Sequence, residues 1–263
     1  MNIQQLSNRI RARSEAFAEV MSASYSLFNN HLIAEEAKEY LGTRLFNSTN
    51  GFSFGYFPNN EHINLLTQYI DEQMLCDLGL MYKKFVNDGG ISYLTNFCTL
   101  SDHNLIMPYC NLNGDIIALV GRSLLPDEVR EHKNIPKYKN TKFHKSLNLF
   151  GLNKAKKHIL EKECAIIVEG QFDCITCHNA GFKNVVALGG ISLTKFQLYL
   201  LLRYTKTIYL LLDNDAAGKK ATDAIIKRYS TVTTVRSFDW NGRCEKDADE
   251  LVRSGYDLTF LCE

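Results

Sequence analysis

The chain is 263 residues long, 45% hydrophobic and 22% charged, with a formal net charge of +1. That is enough apolar mass for a full core in one or two domains, and the near-zero balance excludes a protein that coats nucleic acid by bulk positive charge. There is no long apolar run, no signal-peptide pattern in the polar opening MNIQQLSNR and no lipidation motif, so the expectation is a soluble, cytoplasmic protein with no membrane partner.

The stretch up to about Tyr40 reads as helical, with Leu6, Ile10, Phe17, Val20 and Met21 on one side. Further on, Lys133 to Leu160 holds eight lysines, three aromatics and no acid. Lys133, Lys137, Lys139, Lys142, Lys145, Lys154, Lys156 and Lys157 suit a phosphate backbone or a triphosphate, and Tyr138, Phe143 and Phe150 suit base stacking. The alternative is a solvated lysine-rich loop with its aromatics in the core.

From Ala165 onward short apolar runs alternate with helical segments. Ala165 to Val168 is followed by Glu169, Gly170 and a helix that starts near Asp173 and stops near Gly181. Val185 to Leu188 leads into Gly189 and Gly190, then a helix from Thr194 to Tyr204. Ile208 to Leu212 ends in Asp213, Asn214 and Asp215, with a helix from about Lys219 to Tyr229 beyond Gly218, read here as a tight turn. Thr231 to Phe238 is a fourth predicted strand, Asp239 to Arg243 a turn. Continuous apolar strands with intervening helices predict an α/β unit whose parallel sheet is covered on both faces.

The strands of such a sheet share one carboxyl-terminal edge, so Glu169 can meet Asp213 and Asp215 across a long stretch of sequence. Strand-end carboxylates suit magnesium, a hard cation that takes a few acids and keeps several waters. Asp173, Asp247 and Asp249 are further candidate ligands, although an aspartate ahead of a helix is also ordinary capping chemistry.

The order EG with a following Asp, then DND with AAG, then KDADE resembles the Toprim domain, and more closely the DnaG-type DNA primase. The resemblance extends upstream: Tyr40, Leu41, Arg44, Phe54, Gly55, Tyr56 and Pro58 are similar to the family's opening core motif. Asn113 to Ala118 with Val120, Gly121 and Arg122 resemble its hairpin and arginine. Pro136, Lys137, Tyr138 and Asn140, then His144, Lys145 and Leu149 to Leu152, resemble its basic motifs.

The resemblance implies a Toprim-type parallel sheet flanked by helices (161–263, with a helical end), an N-terminal mixed α+β primase subdomain (41–160) and a helical segment (1–40). It implies a DNA-dependent RNA polymerase that makes short primers by two-metal nucleotidyl transfer. Glu169, Asp213 and Asp215 would be the catalytic acids, Mg2+ or Mn2+ the cofactor, and Arg44, Arg122, Lys137, Asn140 and Lys145 the template and nucleotide contacts. Single-stranded DNA and ribonucleoside triphosphates are the implied substrates, with a replicative helicase as partner. A Toprim-family nuclease is the alternative within the same chemistry, and a non-catalytic DNA-binding or recombination mediator the alternative outside it.

Two departures stand out. The family's amino-terminal zinc-ribbon has no counterpart here, so no zinc is expected in this chain, and a phage or plasmid enzyme that borrows a separate zinc-binding module is implied. Asn104 also stands where the family has an arginine. The eight cysteines are scattered; Cys174, Cys177 and His178 have metal-like spacing but no second pair, and read as buried side chains.

Overall fold

The computed structural model describes residues 3–29, 35–44, 51–60 and 64–262. The chain divides into two compact units. One comprises residues 1–41, 52–109 and 115–143, the other residues 42–51, 110–114 and 144–263.

In the first unit α1 (Ile3–Asn29) packs on β1 (Gly55–Tyr56) and β5 (Ile116–Arg122). Of its predicted apolar stripe, Phe17, Val20 and Met21 are buried, but Leu6 and Ile10 are over 40% exposed. The periodicity of the first turns is real, yet among the described residues Leu6 and Ile10 stay open to solvent. α2 (Glu35–Gly42) follows. A four-stranded sheet runs in the order β1, β4 (Leu105–Cys110), β5, β6 (Tyr138–Asn140), with β1 antiparallel to β4 and β5 antiparallel to β6. Gly55 lies close against α1: a Cβ there would lie 2.6 Å from the Cβ of Ser24. Asn104 is a brace, its side-chain amide donating to the carbonyls of Phe57 and Ser101 while its main-chain carbonyl accepts from the Phe57 N–H.

Two short helices, α3 (Asn64–Thr67) and α4 (Glu72–Asp77), lead to an element the sequence reading passed over. This is the hairpin of β2 (Met81–Asp88) and β3 (Ile91–Cys98), turning at Gly89 and Gly90, both with positive φ. Its base enters the core through Met81 and Cys98, whereas Phe85, Ile91 and Leu94 are at least half exposed. α5 (Asp127–His132) then precedes β6.

The second unit is the expected parallel sheet. In chain order it contains α6 (Leu152–Lys162), β7 (Ala165–Val168), α7 (Gln171–Asn179), β8 (Val185–Ala187), α8 (Lys195–Leu201), β9 (Thr207–Leu211), α9 (Ala216–Tyr229), β10 (Thr234–Ser237) and α10 (Ala248–Arg253). The strands lie in the order β10, β9, β7, β8, all parallel. Alternate strand residues face opposite layers. Ala165, Ile167, Leu210 and Leu212 join one core with side chains of α6, α8 and α9, while α7 and α10 pack against each other. Two boundaries move relative to the sequence reading. α9 begins at Ala216 because Asp215 caps it, accepting the Gly218 N–H at 2.7 Å, and the fourth strand is confined to Thr234–Ser237.

Cys174, Cys177 and His178 are buried in α7. The Cys174 thiol and the His178 ring both contact the Val185 carbonyl, at 3.4 and 2.8 Å. Burial drives the His178 pKa down to about 4, against the opposing pull of that carbonyl bond. A histidine lowered in the fold leaves the unfolded chain binding the extra proton. Its contribution is therefore intact above about pH 6.5 and lost as pH falls toward 4, by on the order of 3 kcal/mol at the bottom of that window. Urea midpoints at pH 7 and pH 4.5 should diverge more in the wild type than in His178→Gln. Equal divergence would show that His178 carries none of the acid sensitivity.

Candidate active site

The site follows from the strand order. From β7 the chain goes to β8 on one side, then crosses back to β9 on the other, so β7 and β9 flank the point where the winding reverses. A crevice opens there at the carboxyl ends of an α/β sheet. β7 ends at Val168, which pairs with Leu211 of β9. The next residues along are Glu169 on one strand and Leu212 and Asp213 on the other. The Asp213 N–H donates to the Glu169 carboxylate.

These acids disturb one another. Burial, then the charges of Asp173, Glu169, Asp247 and Asp215, push the Asp213 pKa up to about 8. Glu169 is raised by burial and by Asp215, against the lowering effect of the Asp213 N–H. Asp173, buried in the first turn of α7, is pushed up to about 7 by burial and by Asp247, although it accepts the Gly170 N–H at 2.8 Å and the Asp249 N–H as well. Asp247 caps α10 through the Glu250 N–H at 2.8 Å. Both caps, at Asp215 and Asp247, leave carboxylate lone pairs over.

Asp249 is placed differently. It is fully buried; one oxygen accepts from Thr176 Oγ at 2.6 Å, and the other is paired with Arg253 at 2.8 Å and with Arg44. Neither oxygen faces outward, so this carboxylate braces α10, α7 and Arg44. Arg253 four residues along the same helix is a readable pair; Thr176 carries no sequence signal. Neither was singled out from the sequence.

The basic candidates fall in both units. Lys145 lies in a 3-10 turn (Lys145–Leu147) of the second unit and donates to the Gly189 carbonyl at 2.7 Å, while the Gly189 N–H bonds the Glu169 carbonyl. It therefore stands at the same sheet edge as Glu169. In the first unit Arg122, 8% exposed, lies between the rings of Tyr40 and Tyr138 and donates to the Tyr138 hydroxyl at 2.7 Å. Lys137 is exposed, and its charge and that of Arg122 add to the lowering of the Asp127 carboxyl by Arg130. Asn140 pairs with Val120 across the sheet. Two of the aromatics are packed instead of free to stack: Phe150 is 2% exposed in the second unit, and Phe143 lies 4.6 Å from Tyr109 in the first.

Among the described residues, no three acidic, histidine or cysteine side chains close around a single point. The donor set nevertheless fits a small hard cation, because clustered carboxylates raised by burial and then by one another's charge are relieved by positive charge, and magnesium reaches such acids partly through its own waters. Among the same residues no helix is long and apolar enough to cross a membrane.

Residues 25–156 match the family described as DNA primase catalytic core, N-terminal domain, and residues 166–252 match a Toprim-like family. The chain is 34% identical over 193 residues to a DNA primase of Aquifex aeolicus, a match that covers 73% of this chain and 37% of that one. It is similar to the crystal structure of the Aquifex aeolicus primase zinc-binding and RNA polymerase domains, with a TM-score of 0.70, 28% identity and coverage of 91% and 57%. The fold also resembles a DnaG primase catalytic domain solved with single-stranded DNA, at a TM-score of 0.72, 23% identity and coverage of 94% and 76%. The chain thus spans about two fifths of the length of the curated relatives it matches.

Proposed function

This chain belongs to the family of DNA primase catalytic cores, and on that premise we propose that it synthesises short RNA primers on single-stranded DNA from ribonucleoside triphosphates. The observation that carries the reading is the acid pair at the winding reversal, Glu169 beside Asp213, with a lysine at the same edge. Primer synthesis joins a 3′-hydroxyl to an α-phosphate and expels pyrophosphate, so negative charge must be gathered and neutralised at one place.

In this reading Glu169, Asp213 and Asp215 hold divalent cations, Mg2+ or Mn2+, with Asp173 and Asp247 reaching them through water. Such ions, when bound, acidify the attacking hydroxyl and neutralise the leaving pyrophosphate. Asp249 is a positioning residue that fixes α10 and thereby Asp247. Lys145 orients phosphate at the acid edge. Lys137 and Asn140 contact template or nucleotide, and Arg122 holds the ring-stacked frame from which they project. Arg44 acts through Asp249. The two compact units, residues 1–41 with 52–109 and 115–143, and residues 42–51 with 110–114 and 144–263, are the working parts in place of a helical segment 1–40 followed by parts divided at 160. The replicative helicase and a separate zinc-binding module are its proposed partners, in the cytoplasm of the cell or of a phage host.

The test is incubation of the purified chain with single-stranded DNA, four labelled ribonucleotides and Mg2+ or Mn2+, with products resolved on a denaturing gel. Short labelled RNA is expected, absent in chelator. Template fragments without RNA would replace this reading with a Toprim-family nuclease, and a metal-independent shift of DNA without products would replace it with a binding module.

A further inference from the structure

The second unit also carries a cavity of about 420 Å³ between the Ile191–Leu193 segment and α9, running along the helix from Ala217 to Tyr229. Its floor is apolar: Leu193, Ala221, Ala224 and Ile225 line it, and the Tyr229 hydroxyl donates to the Leu193 carbonyl at 3.1 Å, which fixes the segment against the helix. Ile191 at the mouth is 49% exposed. Two cations, Lys220 and Arg228, stand on the lining, and neither forms an ion pair among the described residues. Arg228 rests over the Tyr229 ring.

The spacing selects the occupant. Eight residues of α-helix span about 12 Å, too far for one compact phosphate to engage both cations. In an extended peptide the same distance is about three to four residues. The floor lacks the amides that would read a base edge, and an apolar slot of this size takes one bulky side chain. We propose that this groove is a docking site for an extended acidic peptide segment of a partner protein, with a bulky apolar side chain seated over Ala221 and Ala224 and carboxylates at Lys220 and Arg228. The site is independent of the catalytic reading.

The probe is the capped hexapeptide acetyl-Asp-Asp-Leu-Phe-Asp-Asp-amide, titrated calorimetrically into the full chain. Saturable binding is expected, weakened at least about tenfold in Lys220→Glu/Arg228→Glu, which should instead bind the counterpart with lysine for aspartate. Ala224→Trp, filling the slot, should abolish binding of the acidic peptide. All substituted positions are exposed or at the cavity wall, and circular dichroism melts verify folding. No binding to the wild type, binding indifferent to both variants, or displacement of the peptide by ATP would overturn the proposal.

Discussion

Asp213→Asn should reduce primer synthesis by about 10³-fold or more while leaving the fold intact and, in chelator, no less stable. The chemistry needs a full negative charge at the end of β9 to gather cations, and loss of one preorganised charged group at a reacting centre costs at least about 10²-fold. Asparagine keeps the shape and the backbone N–H that the Glu169 carboxylate accepts. The stability expectation runs the other way from the activity. An acid whose folded pKa is raised from the ordinary range to about 8 makes the folded state progressively less favourable as pH rises from about 4 to 8, since the unfolded chain gives up that proton more readily. Asparagine removes this burden. Metal-free wild type should therefore melt lower at pH 8 than at pH 5, with the difference reduced in the variant, and added Mg2+ should raise the wild-type midpoint and not the variant's. A folded Asp213→Asn protein with wild-type synthesis would remove the acid pair from the mechanism.

The acids were legible because each ends an apolar run, and the end of a buried parallel strand is set by where the apolar run stops. Their convergence needed only the rule that parallel strands share an edge. What could not be read is whatever depends on contacts between distant segments. Asp249 stands two residues beyond Asp247 in the same acidic run, yet one is a half-exposed cap and the other is enclosed by Thr176, Arg253 and Arg44. Phe150 sits in a lysine-rich run whose composition speaks for stacking on bases, but the bonds between its backbone and Ala187 draw the ring into the core. The β2–β3 hairpin escaped notice because its apolar side chains lie on both faces of a two-stranded ribbon, so neither a period of two nor one of 3.6 stands out.

Gly218→Ala should be the most damaging single methyl in the second unit, and it separates two expectations of opposite sign. Gly218 lies inside α9, where helix propensity alone favours alanine by about 1 kcal/mol. A Cβ at this position, however, would lie 2.1 Å from the Asp213 carbonyl oxygen and 2.9 Å from its carbonyl carbon. Those are backbone atoms that no rotamer change can move. Either the first turn of α9 or the end of β9 must shift, at a cost of about 3 kcal/mol, so the clash outweighs the propensity. The glycine is thus explained by the closeness of helix to strand and not by a turn, since its own φ lies outside the left-handed region. The same closeness lets Asp215 accept the Gly218 N–H while Asp213 stands beside Glu169, so a displacement here separates the acids from one another. Denaturant midpoints should fall, and synthesis should drop at least about 10²-fold even at temperatures where the variant remains folded, because misplacement by about 1 Å is enough for a loss of that size. Ala217→Gly, one residue away and exposed, should lose only the propensity term and keep its activity. If Gly218→Ala proved as stable and as active as the wild type, the close packing of α9 against the end of β9 would not be what holds the two aspartates in place.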